Sequence, residues 1–352
     1  MSVAPAGPTT CPGPTTRPVP TVFLGSGAFA VPILEALAAA PEARLVGVVT
    51  GPPRPAGRGG RIRRSPVAQR AEDLGVGPVF APVRLRAPSA ISEIAGLGPR
   101  LLVVADYGQI VPRELLALPP HGALGVHPSL LPRHRGAAPI PAAILAGDRQ
   151  SGVTLILLDE GLDTGPIVAQ VAVPLQGSET APELEALLAA EGAQLLRAVL
   201  GDWLAGRRRA RPQPVSGVTL TRPLRRDDGR LDPSLDAATL ERQVRAYQPW
   251  PGTWTETVAG RLIVWRARPL SVAPAATTDR DAAEGPGGGR PSAERSLGRI
   301  VPDDGGLALL VADGALRLDD VQLAGGRRMG AAELRRGHPE LVGSRIAVPA
   351  LP

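Results

Sequence analysis

A histidine and an aspartate in two short sequence motifs are the residues of this chain best suited to chemistry. His127 lies in the stretch GVHPSLLPRHRGAAP, residues 125–139, and Asp163 lies in the stretch DEGLDTG, residues 159–165. A carboxylate beside an imidazole fixes the tautomer and the orientation of the ring. Such a pair suits the transfer of an acyl group to an amine, in which charge develops on the carbonyl oxygen and the attacking nitrogen loses protons.

A covalent intermediate is not indicated by the residues near this pair. Ser129 lies two residues beyond His127 on the same predicted loop and lacks the surroundings of an activated nucleophile. The single cysteine, Cys11, lies in a Pro- and Thr-rich extension and has no partner for a metal site. Direct transfer, without a metal ion, is therefore the simpler hypothesis.

A glycine-containing turn follows the first predicted strand. The turn is Gly25-Ser26-Gly27, but Ala30 stands where the third glycine of a dinucleotide-binding motif would fall. No acidic residue follows the second predicted strand, where the sequence reads GPP at residues 51–53. The pattern therefore favours a tight strand-to-helix turn near a phosphate or another ligand over a dinucleotide site.

Short apolar runs alternate with amphipathic stretches between residues 21 and 206, which predicts an α/β fold with a mostly parallel sheet. The predicted strands are 22–24, 44–50, 101–106, 123–126 and 153–158, and the predicted helices are 31–40, 66–74, 113–118 and 137–146. A capping box at Thr180 and Glu183 predicts the start of one further helix. This arrangement places His127 just after a strand, at the edge where such sheets bind ligands.

A second domain is predicted after a linker at residues 207–229, which contains RRRARPQP. It covers residues 230–346, with a helix at 237–247 followed by short strands that suggest a small barrel. Residues 1–20 are predicted to be a disordered Pro-rich extension, and residues 273–294 a low-complexity loop.

The positive charge of the chain comes entirely from arginine, because the sequence contains no lysine. The net charge is +6. A bias toward Arg, Ala, Gly and Pro is also typical of GC-rich coding, so only local clustering argues for nucleic acid. Such clusters occur at residues 54–64 and 207–211. The apolar runs are too short for a membrane-spanning helix, and no signal peptide is apparent, so we expect a cytoplasmic protein.

The two chemical motifs resemble those of the folate-dependent formyltransferase family. The whole pattern resembles the methionyl-tRNA formyltransferases in particular, with further matches in FLGSGAFAVPILEAL, PRPAGRGGRIRRSPV, YGQIVP and YQPWPGTWT. The resemblance extends from about residue 21 to residue 346. It implies a Rossmann-like formyltransferase domain followed by a C-terminal β-barrel of the OB type, and a monomer.

The resemblance also implies partners and site residues. The formyl donor would be 10-formyltetrahydrofolate, held along Ser129, Leu130, Leu131 and Pro132, with its pterin near Tyr107 and Gly108. His127 would stabilise the oxyanion and handle protons, and Asp163 would tune His127. The acceptor would be initiator methionyl-tRNA, contacted by the arginine-rich loop through Arg58, Arg61 and Arg63. No metal ion is implied.

One position departs from the family pattern. The family normally has Asn two residues before the histidine, where its amide helps to hold the formyl oxygen, and this chain has Gly125. Two explanations are open. Either a water takes the place of the amide in an active enzyme, or the chain is a catalytically weakened paralogue that binds folate and tRNA. A formyltransferase that acts on a small amine is a third reading, but it would not need the arginine loop or the C-terminal domain.

Overall fold

The computed structural model describes residues 17–56, 61–270 and 297–346. These residues form two compact units. The first consists of the described residues within 1–139, 149–175 and 183–222, and the second of those within 140–148, 176–182 and 223–352. The low-complexity stretch 273–294 and most of the predicted extension lie outside the described residues.

The N-terminal part of the chain alternates strands and helices. Its strands are β1 (Val19–Gly25), β2 (Ala43–Val49), β3 (Arg54–Ala56), β4 (Arg61–Arg63), β5 (Val79–Phe80), β6 (Leu101–Ala105), β7 (Ala123–His127), β8 (Arg135–Gly136), β9 (Gln150–Leu157), β10 (Ile167–Pro174) and β11 (Leu220–Thr221). Its helices are α1 (Ala30–Ala38), α2 (Pro66–Asp73), α3 (Pro88–Gly96), α4 (Arg113–Leu116), α5 (Pro139–Leu145) and α6 (Ala181–Leu204). The predicted strands and helices are confirmed, whereas the sequence did not predict α3, β5, β10 or the short strands β3, β4, β8 and β11.

Seven strands form the main sheet, in the order β10-β9-β7-β6-β1-β2-β5. The strands from β7 to β5 are parallel, but β9 is antiparallel to β7, and β10 is antiparallel to β9. His127 is paired with Thr154 in the middle of β9, and Leu157 at the end of β9 is paired with Leu124. The loop after β9 therefore starts level with the beginning of β7, at the opposite end of that strand from His127.

The central strands are buried because helices cover the sheet. Phe23 and Leu24 of β1 and Leu102 of β6 are completely buried, which explains why these strands read as continuous apolar runs. Each such side chain contributes about 1.5–3 kcal/mol through burial. The start of α2 is defined by Ser65, whose side chain accepts a hydrogen bond from the Ala68 N–H at 3.0 Å.

The second unit is built on an antiparallel sheet, as the short C-terminal strands predicted. Its elements are α7 (Ala237–Ala246), β12 (Thr253–Thr257), β13 (Gly260–Leu270), β14 (Ile300–Asp303), β15 (Gly306–Val311), β16 (Gly314–Leu323), β17 (Met329–Gly330) and α8 (Ala331–Gly337). The strand order is β12-β13-β16-β15-β14, and β17 pairs with β16. Leu240 of α7, Leu309 of β15 and Leu334 of α8 are buried in one apolar cluster. Closure of this sheet into a barrel stays a prediction.

Residues 207–222, predicted to belong to a linker, pack with the first unit. Arg211 and Ile167 exchange two backbone hydrogen bonds, of 2.8 and 2.7 Å, and β11 pairs with β8 in parallel. The arginine-rich composition suggested a solvated segment, but the backbone of this stretch extends the edge beside β10. Within the described residues, no helix is both long enough and apolar enough to span a membrane.

His121 is a buried histidine at the other end of β7 from His127. His121 is only 3% exposed, and neither nitrogen of its ring has a hydrogen-bond partner among the described residues. Its backbone carbonyl accepts a hydrogen bond from Trp203 Nε1 at 3.0 Å. Burial, together with the positive charge of Arg100, lowers the pKa of His121.

We expect His121→Phe to reduce the loss of stability in acid. In the unfolded chain this histidine titrates near its usual pKa of about 6.5, whereas the folded chain resists protonation. Stability is therefore unaffected by this group above about pH 6.5 and falls as the pH drops below that value. Melting temperatures at pH 7.5 and pH 5 should differ less for the variant than for the wild type. An equal difference in the two proteins would contradict this account.

Candidate functional site

His127 and Asp163 meet in the structure. His127 is the last residue of β7, and its Nδ1 lies 3.6 Å from Asp163 Oδ2. Its Nε2 lies 2.9 Å from the backbone oxygen of His134. Because a carbonyl oxygen can only accept a hydrogen bond, Nε2 carries a proton. Both ring nitrogens therefore face acceptors, and the ring is largely buried.

The loop of residues 158–166 brings Asp163 to His127 by crossing the face of β7. Side chains alternate between the two faces of a strand, so Gly125 and His127 lie on the same face of β7. Leu158 of the loop lies over Gly125, and Asp163 of the loop lies beside His127. Asp163 has a left-handed backbone, with φ of +52°. Its carboxylate accepts a hydrogen bond from the Gly136 N–H at 2.7 Å, which links the loop to the other motif.

The space beside Gly125 is filled by an apolar side chain. A Cβ atom on Gly125 would lie 2.6 Å from Leu158 Cδ2 and 3.2 Å from Ile156 Cγ1. The Leu158 N–H donates to the Ala123 carbonyl at 2.8 Å, which continues the pairing of β9 with β7 and holds Leu158 over the glycine. Leu158 therefore occupies the space beside Gly125 in this arrangement, and the replacement of the missing amide by a water stays a prediction.

The predicted folate-contacting stretch is rigidly held. The hydroxyl of the buried Ser129 donates to the Arg133 carbonyl at 2.7 Å. Thr154 accepts a hydrogen bond from the Leu131 N–H and donates to the Ser129 carbonyl, at 3.1 and 2.6 Å. Ser129 and Leu131 face inward, whereas Leu130 and Pro132 are partly exposed. A ligand would therefore be contacted by Leu130, by Pro132 and by the backbone of this stretch.

Tyr107 and Gly108 follow β6 at the same edge of the sheet. The Tyr107 side chain is buried among apolar residues that include Leu24, Leu85 and Leu115, and burial raises its pKa to about 12. Gly108 is exposed and has a φ of +80°. The part of this pair that a ligand can reach is therefore the backbone, and not the tyrosine ring.

Asp106, between β6 and Tyr107, is an unusual residue at this edge. It has a φ of +44°, and its carboxylate lies against Gly27, where an added Cβ would collide with Oδ2. The residue is exposed as a whole. Burial of the carboxylate, together with the negative charge of Glu185, nevertheless raises its pKa to about 6. The Asp106 carbonyl accepts a hydrogen bond from the Ser26 N–H at 2.9 Å, which joins two neighbouring loops.

The arginine-rich loop forms a hairpin of β3 and β4. Arg54 and Arg63 are directly paired across it, and both are exposed. Neither forms an ion pair within the described part of the chain, whereas Arg64 pairs with Glu72. Arg58 lies outside the described residues, and nothing is described of the Arg61 side chain.

Three residues that the sequence did not point to contact the two motifs. Thr154 orders the SLLP stretch, Leu158 covers Gly125, and Gln213 joins Arg135 to the Asp163 loop. Each contact joins residues that are more than 20 positions apart in the chain, so local spacing carries no signal for it. The charge of the RRRARPQP segment predicted a linker, and nothing in that pattern indicated a role for Gln213.

Comparisons with known proteins agree with the two-unit architecture. The family model described as formyl transferase matches residues 20–200, and the model described as formyl transferase, C-terminal domain, matches residues 223–339. Solved structures share the fold at low sequence identity. HypX from Aquifex aeolicus, in complex with tetrahydrofolic acid, has a TM-score of 0.57 at 17% identity, covering 92% of this chain and 48% of that one. An N-formyltransferase from Helicobacter canadensis has a TM-score of 0.57 at 14% identity, covering 88% of this chain and all of that one.

Curated relatives are much closer in sequence. The methionyl-tRNA formyltransferase of Roseiflexus sp. (strain RS-1) is 42% identical over 316 residues, which is 90% of this chain and 91% of the relative. That of Rhizorhabdus wittichii is 43% identical over 330 residues, covering 93% and 98%. Similarity of this extent runs through both units, and the chain therefore belongs to the methionyl-tRNA formyltransferase family.

Proposed function

We propose that this chain transfers the formyl group of 10-formyltetrahydrofolate to the amino group of initiator methionyl-tRNA. The observation that carries the proposal is the contact between His127 and Asp163 on the face of β7, in a chain that matches this family over nine-tenths of its length. A tRNA substrate also implies a cytoplasmic location. We expect a monomer that needs no metal ion.

The reaction is a direct transfer in which the formyl group moves from N10 of the folate to the amino nitrogen of methionyl-tRNA. The amino nitrogen attacks the formyl carbon, a C–N bond forms, and the carbonyl oxygen becomes an oxyanion. The bond from that carbon to N10 of the folate then breaks, the attacking nitrogen loses a proton, and the leaving nitrogen gains one. His127 donates a hydrogen bond to the oxyanion and passes these protons, and the Asp163 carboxylate stabilises its positive charge.

His127 must change partners during this reaction. In the structure Nε2 donates to the His134 carbonyl at 2.9 Å, so this proton must leave the carbonyl before it can serve a substrate oxygen. Asp163 faces the other nitrogen and is held by the Gly136 N–H. The carboxylate therefore keeps the ring oriented while the bond to His134 is exchanged.

We assign folate binding to the stretch from Ser129 to Pro132 and to the backbone at Tyr107 and Gly108. Thr154 fixes the first segment through two hydrogen bonds. Gly108 is exposed and has a left-handed backbone, so its backbone groups are accessible at the edge of the sheet where the Ser129–Pro132 segment also lies. A flat ring with donors and acceptors on its edge can be recognised by such backbone groups, with little need for charged side chains.

We assign tRNA binding to the β3–β4 hairpin. Like charges placed directly opposite in an antiparallel pair are destabilising, and Arg54 and Arg63 are opposite each other with no acidic partner among the described residues. An anionic ligand would offset this repulsion, and a phosphate backbone is such a ligand. Arg58 and Arg61 belong to the same loop and are assigned the same role.

Purified full-length protein should formylate methionyl-tRNA with 10-formyltetrahydrofolate as donor. His127→Asn should lower the single-turnover rate by about 10²–10⁴-fold, because it removes a general acid-base group. His338→Asn, at a partly exposed histidine that pairs with Glu340, is the matched control and should keep the wild-type rate. Formylation of a nucleotide-linked amino sugar, with none of methionyl-tRNA, would refute the proposed acceptor.

The Arg54→Ala/Arg63→Ala variant should weaken tRNA binding without affecting the chemical step. We expect the KM for methionyl-tRNA to rise about tenfold, and its dependence on salt concentration to become shallower, because two phosphate contacts are lost. The single-turnover rate at saturating tRNA should stay within about threefold of the wild type. Arg44→Ala/Arg197→Ala removes the same charge from exposed positions elsewhere. If both double variants changed the KM equally, the hairpin would have no specific role.

Restoring an amide at position 125 should require room beside it. Gly125→Asn alone should gain little, because its Cβ would lie 2.6 Å from Leu158 Cδ2. In a Leu158→Ala background, Gly125→Asn should raise the single-turnover rate at least tenfold, since one oxyanion donor is typically worth about 10²–10³. Equal rates for Leu158→Ala with and without Gly125→Asn would show that this chain does not use a donor there.

A further inference from the structure

Gln213 connects the two motifs that flank His127. We propose that it is a positioning residue for the His127–Asp163 pair, an inference that rests on the proposed function. Its side chain lies between the loop that carries Asp163 and the loop that carries His134 and Arg135. Its described hydrogen bonds reach neither the His127 ring nor the Asp163 carboxylate, so its influence on the pair is indirect.

The side-chain amide of Gln213 uses all of its hydrogen-bonding capacity. Its Nε2 donates to the backbone carbonyls of Asp163 and Gly165 at 2.7 and 2.8 Å. Its Oε1 accepts hydrogen bonds from Arg135 Nε and Nη2 at 3.1 and 2.7 Å. A primary amide has two N–H groups and two acceptor sites. No other uncharged side chain can supply this pattern at the same length.

Each loop that Gln213 joins contacts one nitrogen of the His127 ring. Asp163 Oδ2 faces Nδ1, and the His134 carbonyl accepts from Nε2. The hydrogen bond from the Gly136 N–H to the Asp163 carboxylate is the other connection between these loops. The separation of the two acceptors that hold the ring therefore depends on at least these two bridges, and Gln213 supplies one of them.

The backbone around Gln213 is itself anchored. Arg211 pairs with Ile167, two residues beyond Gly165, and Pro214 restricts Gln213 to an extended conformation. After Gln213, the Thr219 hydroxyl accepts a hydrogen bond from the His134 N–H at 2.8 Å. Pro212 and Pro214 are exposed, whereas Gln213 is partly buried. The segment thus presents the amide from a fixed position.

Loss of the amide should act mainly on geometry. Asp163 has a left-handed backbone, a conformation that persists only where the surroundings hold it. Without Gln213, the carbonyls of Asp163 and Gly165 lose their donor, and Arg135 loses its acceptor. A shift of about 1 Å in a positioned group can cost up to about 100-fold in rate.

Three variants test the proposal in the full-length protein. Gln213→Met keeps the length of the side chain and removes every hydrogen bond. Gln213→Glu keeps an acceptor for Arg135 but sets a carboxylate against two carbonyl oxygens, so it separates the two halves of the bridge. The matched control is Gln243→Met, because Gln243 Nε2 also donates to two backbone carbonyls, those of Asp228 and Arg230, in the second unit.

We expect kcat to fall about 10- to 100-fold in Gln213→Met and in Gln213→Glu, with both KM values within about threefold of the wild type. The pH profile of kcat should change as it does in Asp163→Asn, and Gln213→Met should add little to the loss in Asp163→Asn. Gln243→Met should leave the pH profile unchanged even where it lowers the melting temperature. An unchanged kcat in Gln213→Met, with or without lower stability, would overturn the proposal.

A measurement without substrates separates this inference from the proposed function. In protein labelled with ¹⁵N-histidine, the ring-nitrogen shifts of His127 report its tautomer and its contact with Asp163. Gln213→Met should move them toward their values in Asp163→Asn, and Gln243→Met should leave them in place. If these shifts move while the wild type fails to formylate methionyl-tRNA, the proposed function is wrong and the positioning role stands. Shifts identical to the wild type in Gln213→Met would refute the positioning role.

Discussion

The contact between His127 and Asp163 depends on a loop that folds back over the sheet. Because β9 runs antiparallel to β7, its last residue is level with Leu124, and residues 158–166 must return along the strand face to reach His127. The return requires a left-handed backbone at Asp163, with φ of +52°. Aspartate tolerates this conformation better than most residues, but it still costs about 1–3 kcal/mol. The hydrogen bond from Gly136 to the carboxylate offsets part of that cost.

Other strained residues lie close to the same pair. Among the described residues, the non-glycine residues with positive φ are Asp106, His134, Asp163 and Asp304. The first three lie in loops at or beside the functional site, and His134 offers the carbonyl that holds the His127 ring. The carboxylate of Asp106, with its pKa raised to about 6, adds a group whose charged form is less stable here than in water. Strain of this kind persists where a rigid scaffold compensates for it, here the fully buried core of β1 and β6.

Much of this architecture follows from the sequence, because the signals are local. Continuous apolar runs predicted the strands around Leu24 and Leu102, and the position after such a run placed His127 at the ligand edge. Strand direction is not encoded in an apolar pattern, so the antiparallel β9 and the returning loop could not be read from it. Gln213 could not be found either, since its partners lie 48 to 78 residues away. Its neighbours are arginines and prolines, which are typical of a solvated linker.

This chain has an apolar contact at Gly125 where the family has an amide, so stabilisation of the oxyanion depends mainly on His127. Donors act on an oxyanion only from about 3 Å, and Leu158 occupies the strand face beside His127. Under the proposed reaction, the Nε2 proton of His127 is then the main donor, and its competitor is the His134 carbonyl at 2.9 Å. The position of that carbonyl depends on Arg135, whose guanidinium is held by Gln213. A chain without the amide therefore relies more on the accuracy with which the two loops are held apart.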